Sequence, residues 1–222
     1  MSKPVPTRDP VTTGMRGNTA VLGDEGVRNF AFMLGGSRTG GTTESLARRA
    51  AGGLPGEAGQ SWLNLSGLSF APGVAAESRA AEETLLEATV GHTDIVVVSP
   101  LYWYSVSAQT KLYLDHWASW MARPGLDFRA RMAGKTLWAV STFARGEARD
   151  AQPLVGMLER TARYLDMAWG GALLCRSRSS GQLAEHDAGR QAEAFFPTAM
   201  TRPFQGSSHV GPYVDSPALG VL

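Results

Sequence analysis

Short apolar runs alternate with segments of helical period along most of this chain. Residues 1–28 carry neither pattern; rich in Pro, Thr, Gly and charge, they read as a flexible arm. From Asn29 onward the spacing predicts strands over Asn29–Gly35, Ser61–Ser66, Asp94–Pro100, Thr136–Thr142 and Ala168–Cys175. Between and after them it predicts helices over Thr42–Ala51, Glu77–Val90, Ala108–Met121, Gln152–Leu165 and Leu183–Phe196. Asp94–Pro100 is the clearest strand, because Ile95, Val96, Val97 and Val98 are consecutive β-branched residues closed off by Pro100. The segment "ARPGLDFRARMAGK" reads as a connecting loop, and 201–222 as a turn-rich, extended tail.

Strands alternating with helices call for a parallel sheet covered on both faces, built as one domain over 29–200. Such sheets bind ligands outside the carboxyl ends of their strands. Three loops lie there: Gly35–Thr43, Pro100–Ser107 and Phe143–Ala151.

The first loop packs Gly35, Gly36, Gly40 and Gly41 among Ser37, Thr39, Thr42 and Thr43, with a helix directly after it. Glycines let the backbone curl around an anion, hydroxyls add donors, and the helix dipole favours negative charge. A hydrophilic turn with Thr42 or Thr43 as the helix N-cap is the plainer alternative. The Walker spacing fits from Gly35 to Thr42, but Gly41 stands where that motif needs Lys, and G-x-G-x-x-G is absent. A monophosphate held by amides, hydroxyls and Arg38 remains.

The second loop sets Tyr102, Trp103 and Tyr104 in succession at a strand end. There such a run offers a wall for a planar ring, or a contact for a partner subunit. The third carries Arg145, which suits the charged end of a ring system, a nicotinamide nucleotide phosphate, or solvent beside Glu147. Lys111 and Asp115, four apart on a helix, read as an ion pair rather than an acid–base couple. His116 reads as an interface or core residue, and His92, His186 and His209 form no metal-ligand spacing.

Composition narrows the classes. The 222 residues carry a net charge of +1 with no basic block, so nucleic acid is not an expected partner. No apolar run approaches the roughly 18 to 20 residues that span a bilayer, so membrane insertion is not expected. The lone Cys175 reads as a small core residue at a strand end, and with no cysteine pair and no apolar signal core in 1–20 a cytoplasmic location is the expectation.

"SRTGGTT" (Ser37–Thr43) resembles the flavodoxin phosphate loop. With "GTTESLA" it also resembles the G-S-x-R-x-x-G-x-T-x-x-L-A signature of the NAD(P)H-dependent FMN reductase and quinone reductase family, with Thr42 in place of the usual Asn. "PLYWYSVSAQTKLYLD" (Pro100–Asp115) resembles that family's segment after the third strand. The resemblance implies an α/β, flavodoxin-like three-layer αβα sandwich with a five-stranded parallel sheet of order 2-1-3-4-5. It implies bound FMN, NADPH or NADH as co-substrate, a quinone-like or flavin acceptor, and a homodimer or homotetramer. The FMN site it implies comprises Ser37, Arg38, Thr39, Gly40, Gly41, Thr42 and Thr43 on the phosphate. Pro100, Leu101, Tyr102, Trp103, Tyr104 and Ser105 would line the ring, and Thr142, Phe143, Ala144, Arg145 and Gly146 its edge. No catalytic side chain and no metal are expected, since the flavin carries the chemistry. Tyr113, Trp117 and Trp120, spaced at four and three, suit the subunit interface such proteins form. A flavodoxin-type one-electron carrier is the alternative, weakened by the near-zero charge, because such carriers are acidic; a non-catalytic FMN-binding protein is another.

Overall fold

A computed structural model describes residues 27–65, 76–177 and 187–200. The arm before residue 27, the tail after residue 200, His186 and His209 lie outside those residues. The chain runs β1 (Asn29–Leu34), α1 (Thr42–Ala51), β2 (Gly59–Asn64), α2 (Ala76–Gly91), β3 (Asp94–Val98), α3 (Ala108–Met121), α4 (Phe128–Met132), β4 (Thr136–Phe143), α5 (Gln152–Tyr164), β5 (Ala168–Arg176) and α6 (Asp187–Met200). A 3₁₀ turn, Ala148–Ala151, leads into α5. All strand pairs are parallel, in the order β2-β1-β3-β4-β5 that the resemblance implied.

Strand alternation divides the core in two. Ala31, Met33, Ile95, Val97, Leu137 and Ala139 face one way, against Leu85, Tyr113, Trp117, Trp120, Leu154 and Leu158 of α2, α3 and α5. Phe30, Phe32, Val96, Val98, Trp138 and Val140 face the other way, against Leu46, Ala47, Ala192 and Phe196 of α1 and α6. Burial on both faces is why β3 reads as an unbroken apolar run.

Three expectations change. The loop between α3 and β4 contains α4, which seats Phe128 and Met132 in the core. The last helix runs to Met200 with Pro197 in its final turns, beyond the expected end at Phe196. Tyr113, Trp117 and Trp120 are buried within this chain, so they are not an interface surface. Tyr113 shares a hydrogen bond with Thr89 (2.7 Å) and the Trp120 indole donates to Glu82 (2.9 Å). A spacing of four and three marks one face of a helix, and here the sheet covers that face.

The amino edge of the sheet is closed by a buried carboxylate. Asp94 is fully buried, accepts from Trp138 Nε1 (2.7 Å) and pairs with Arg28, whose Nε lies 3.0 Å from Oδ2. Arg28 also donates to Thr136 (3.3 Å), so the last residue of the expected arm is already held by the fold. Trp138 fits beside β5 only because Gly170 bulges there; a Cβ on Gly170 would lie 2.4 Å from the indole.

Two outcomes follow from this packing. Asp94→Ala leaves Arg28 and the Trp138 indole without their buried partner and should lower unfolding free energy by about 3–5 kcal/mol in urea titrations. Cys175 sits in the core against α1 and α6, and burial pushes its thiol pKa up. It should react with a thiol-specific disulfide reagent only after the protein is unfolded.

Candidate functional site

Parallel pairing in register places Leu34, Val98 and Val140 side by side, so the chain leaves β1, β3 and β4 at one edge. The loops that follow are tied to one another. The Gly35 N–H donates to Val98 O (2.8 Å), Ser99 N–H to Val140 O (3.0 Å) and Leu101 N–H to Thr142 O (2.9 Å). Thr43 and Thr142, both buried, share a hydroxyl hydrogen bond of 2.5 Å that joins the first loop to the third.

In the first loop Gly35 lets α3 approach β1; a Cβ there would lie 1.8 Å from the Thr110 hydroxyl. Ser37, Arg38, Thr39 and Gly40 stand exposed, with Thr39 accepting from Asn64 Nδ2 (3.1 Å) and Gly40 at φ +71°. The N-cap of α1 is Gly41, and no side chain caps the helix. Thr42 and Thr43 lie within the first turn, so neither is the N-cap that the plainer reading required. The first turn of α1 therefore follows a glycine N-cap, which has no side chain to accept from its amides.

Glu44 is a residue the motif reading passed over. Its buried carboxylate accepts from Gly40 N–H (2.7 Å) and from Arg48 Nε (2.9 Å). Burial alone would raise its pKa, but Gly40 and Arg48 outweigh burial and hold it below the ordinary value. The signal was available: an acidic residue three positions after the N-cap is the spacing of a capping box.

The second loop is a two-residue hairpin. Tyr102 and Ser105 exchange backbone hydrogen bonds of 2.9 and 3.0 Å, and Trp103 and Tyr104 form the turn with φ of +49° and +65°. Positive φ at both central positions belongs to Asn-Gly turns; bulky side chains there cost about 1–3 kcal/mol each. The three rings are nonetheless exposed, Trp103 at 93%. Pro100 and Leu101, which precede them in the chain, are half-buried. Ser107 closes the loop by donating its amide to Ser99 Oγ (2.8 Å) and capping α3 at the Thr110 amide (3.2 Å).

In the third loop Ala144, Arg145 and Gly146 stand on the rim. Phe143 instead turns its ring into the core, and its carbonyl accepts from Ser177 N–H (2.9 Å). Gly146 takes φ +83°, and Glu147 and Asp150 form a capping box around the following turn. Glu147 pairs with Arg149 (3.1 Å) rather than with Arg145. Arg38 and Arg145 thus add positive charge to the edge where α1 points its amino end. The remaining candidates are structural: Lys111 pairs with Asp115, His116 Nδ1 lies 3.6 Å from Glu82, and His92 bonds Ala88 O and Ser61 (2.7 and 2.8 Å). Among the described residues no cluster could hold a metal ion, and no helix is long and apolar enough to cross a membrane.

Comparison with known proteins agrees with the fold. YwqN of Bacillus subtilis strain 168, named as an NAD(P)H-dependent FMN-containing oxidoreductase, is 24% identical over 167 residues, 72% of this chain and 91% of its own. The Trp repressor binding protein of Bacillus subtilis superposes with a TM-score of 0.61 at 21% identity, covering 75% of this chain and 96% of that one. An FMN-dependent NADH-azoreductase from Bacillus anthracis, solved with FMN, gives 0.54 at 9% identity over 78% and 98% of the two chains. The family model Flavodoxin_2, described by its flavodoxin-like fold, matches residues 36–194, and the chain belongs to that family.

Proposed function

We propose that the protein is an FMN-dependent NAD(P)H oxidoreductase that passes reducing equivalents from a nicotinamide to a quinone-like or flavin acceptor. The observation that carries this reading is a helix opening on a bare glycine, at the same sheet edge as an exposed aromatic hairpin. The donor set fits a phosphomonoester: the amides of the α1 first turn, the hydroxyls of Ser37, Thr39, Thr42 and Thr43, and Arg38. The ring would lie against Pro100, Leu101, Tyr102, Trp103, Tyr104 and Ser105. FMN bound there would supply the hydride chemistry, accepting from NADPH or NADH and giving to the acceptor.

The chain's own part is to bind, orient and tune. Thr142 contributes position through its bond to Thr43, and Phe143 through its seat in the core. Ala144 and Gly146 leave room at the rim, and Arg145 would stabilise negative charge at the ring's edge or on the nicotinamide nucleotide. YwqN, named an NAD(P)H-dependent FMN-containing oxidoreductase, and the FMN-dependent NADH-azoreductase support the nicotinamide and FMN parts of this reading. A cytoplasmic location suits a protein that draws on nicotinamide nucleotides. A homodimer or homotetramer would bring a second chain to the exposed hairpin, since the aromatic face of α3 is already covered.

Flavin-free protein titrated with FMN should quench flavin fluorescence at a stoichiometry of one. The yellow complex should bleach on adding NADPH or NADH under argon and recover its colour with a quinone. Indifference to both nicotinamides would favour the one-electron carrier, and failure to take up flavin would favour neither. Replacing the strained pair by Trp103→Asn with Tyr104→Gly should raise stability by about 1 kcal/mol or more, as the turn regains the residues it prefers. The same change should slow turnover of flat acceptors, measured as kcat/KM.

A further inference from the structure

Resting on the FMN reading, we infer that Glu44 is a positioning residue that splints the phosphate loop in its binding shape before any ligand arrives. Its carboxylate holds Gly40 N–H at 2.7 Å, and Gly40 is the loop residue at φ +71°. The splint is anchored in the core by a continuous series of contacts. Phe32 of β1 is fully buried and stacks on Trp62 of β2, with ring centres 4.0 Å apart and planes 7° apart. The Arg48 guanidinium lies over Trp62 at 4.3 Å. Its Nη2 and Nε in turn reach Glu44 Oε1 at 2.7 and 2.9 Å. Core packing thus fixes the cation, the cation fixes the carboxylate, and the carboxylate fixes the loop.

A carboxylate at the mouth of an anion site would oppose a phosphate by like charge. Arg48 cancels that charge, so Glu44 supplies geometry while the α1 amides and Arg38 supply attraction. The carboxylate takes only the Gly40 amide and leaves the first turn of α1, which has no side-chain cap, facing the loop. A loop already ordered forfeits less entropy on binding than one that must be arranged.

The test compares FMN with riboflavin, which lacks the phosphate, on the full-length, flavin-free protein. Glu44→Ala should weaken FMN binding by about tenfold, the scale of one charge-assisted hydrogen bond, while leaving riboflavin affinity unchanged. Glu44→Gln, which keeps an acceptor for Gly40, should recover most of the loss. Arg48→Met leaves the carboxylate uncompensated and should also weaken FMN selectively, which covers the case of Glu44→Ala failing to fold. In flavin-free protein the Gly40 amide should be protected from hydrogen exchange in wild type and in Glu44→Gln, and lose that protection in Glu44→Ala. Folded Glu44→Ala binding FMN as tightly as wild type, or more tightly, would overturn the inference. If wild type takes up neither flavin, it is the FMN reading that fails. Gly40 exchange then decides the splint alone: protection lost in Glu44→Ala upholds it, and protection kept overturns it.

Discussion

Everything at the candidate site depends on parallel pairing with both sheet faces buried. Parallel strands must all end on the same side, and the two apolar layers prevent any strand from slipping by one residue, since a slip would turn Val96 and Val98 into the wrong core. The in-register row Leu34, Val98, Val140 then delivers three chain exits to one edge. Short backbone bonds from Gly35, Ser99 and Leu101 knit those exits together before any side chain takes part. Convergence of the loops is a product of the sheet, not of the loops' own preferences.

The two edges of that sheet are finished in opposite ways. At the amino edge polar groups satisfy one another: Asp94 with Arg28 and Trp138, His92 with Ala88 and Ser61, and Lys135 with Val90 O (3.0 Å) and the His92 carbonyl. At the carboxyl edge local rules are broken. A helix starts on a residue with no cap, and two bulky aromatics occupy a turn that favours Asn and Gly. Among the described residues the other non-glycine positions at positive φ are Asp127 and Asp166, whose short polar side chains tolerate it, so bulky aromatics held there single out the carboxyl edge as the place where binding is expected to be built.

Much of the fold was legible because hydrophobic period reports burial directly. β3 and the stretch Thr136–Thr142, which the structure extends to Phe143, read as strands from their apolar runs, and α1 and α3 began and ended where the pattern placed them. The strand order came from resemblance in Ser37–Thr43 and Pro100–Asp115, not from period. Period failed where it reports burial but not what does the burying. The stripe Tyr113, Trp117, Trp120 looked the same as an interface stripe until the sheet was seen to cover it. α4 was missed because its few residues, between Gly125 and Gly134, are too short to show a period.

The sequence by itself determined the alternation of strands and helices, the glycine and hydroxyl content of the first loop, and the aromatic run of the second. These depend on local spacing and residue chemistry. Only the tertiary structure decided that Gly41 is a bare cap, that Trp103 and Tyr104 sit at positive φ, that Phe143 turns inward, and that Glu44 reaches Gly40 with Arg48 braced on Trp62. Each of those depends on a backbone angle or on a neighbour from another strand or helix, and such information arises only when separate segments are held against one another by the packed core.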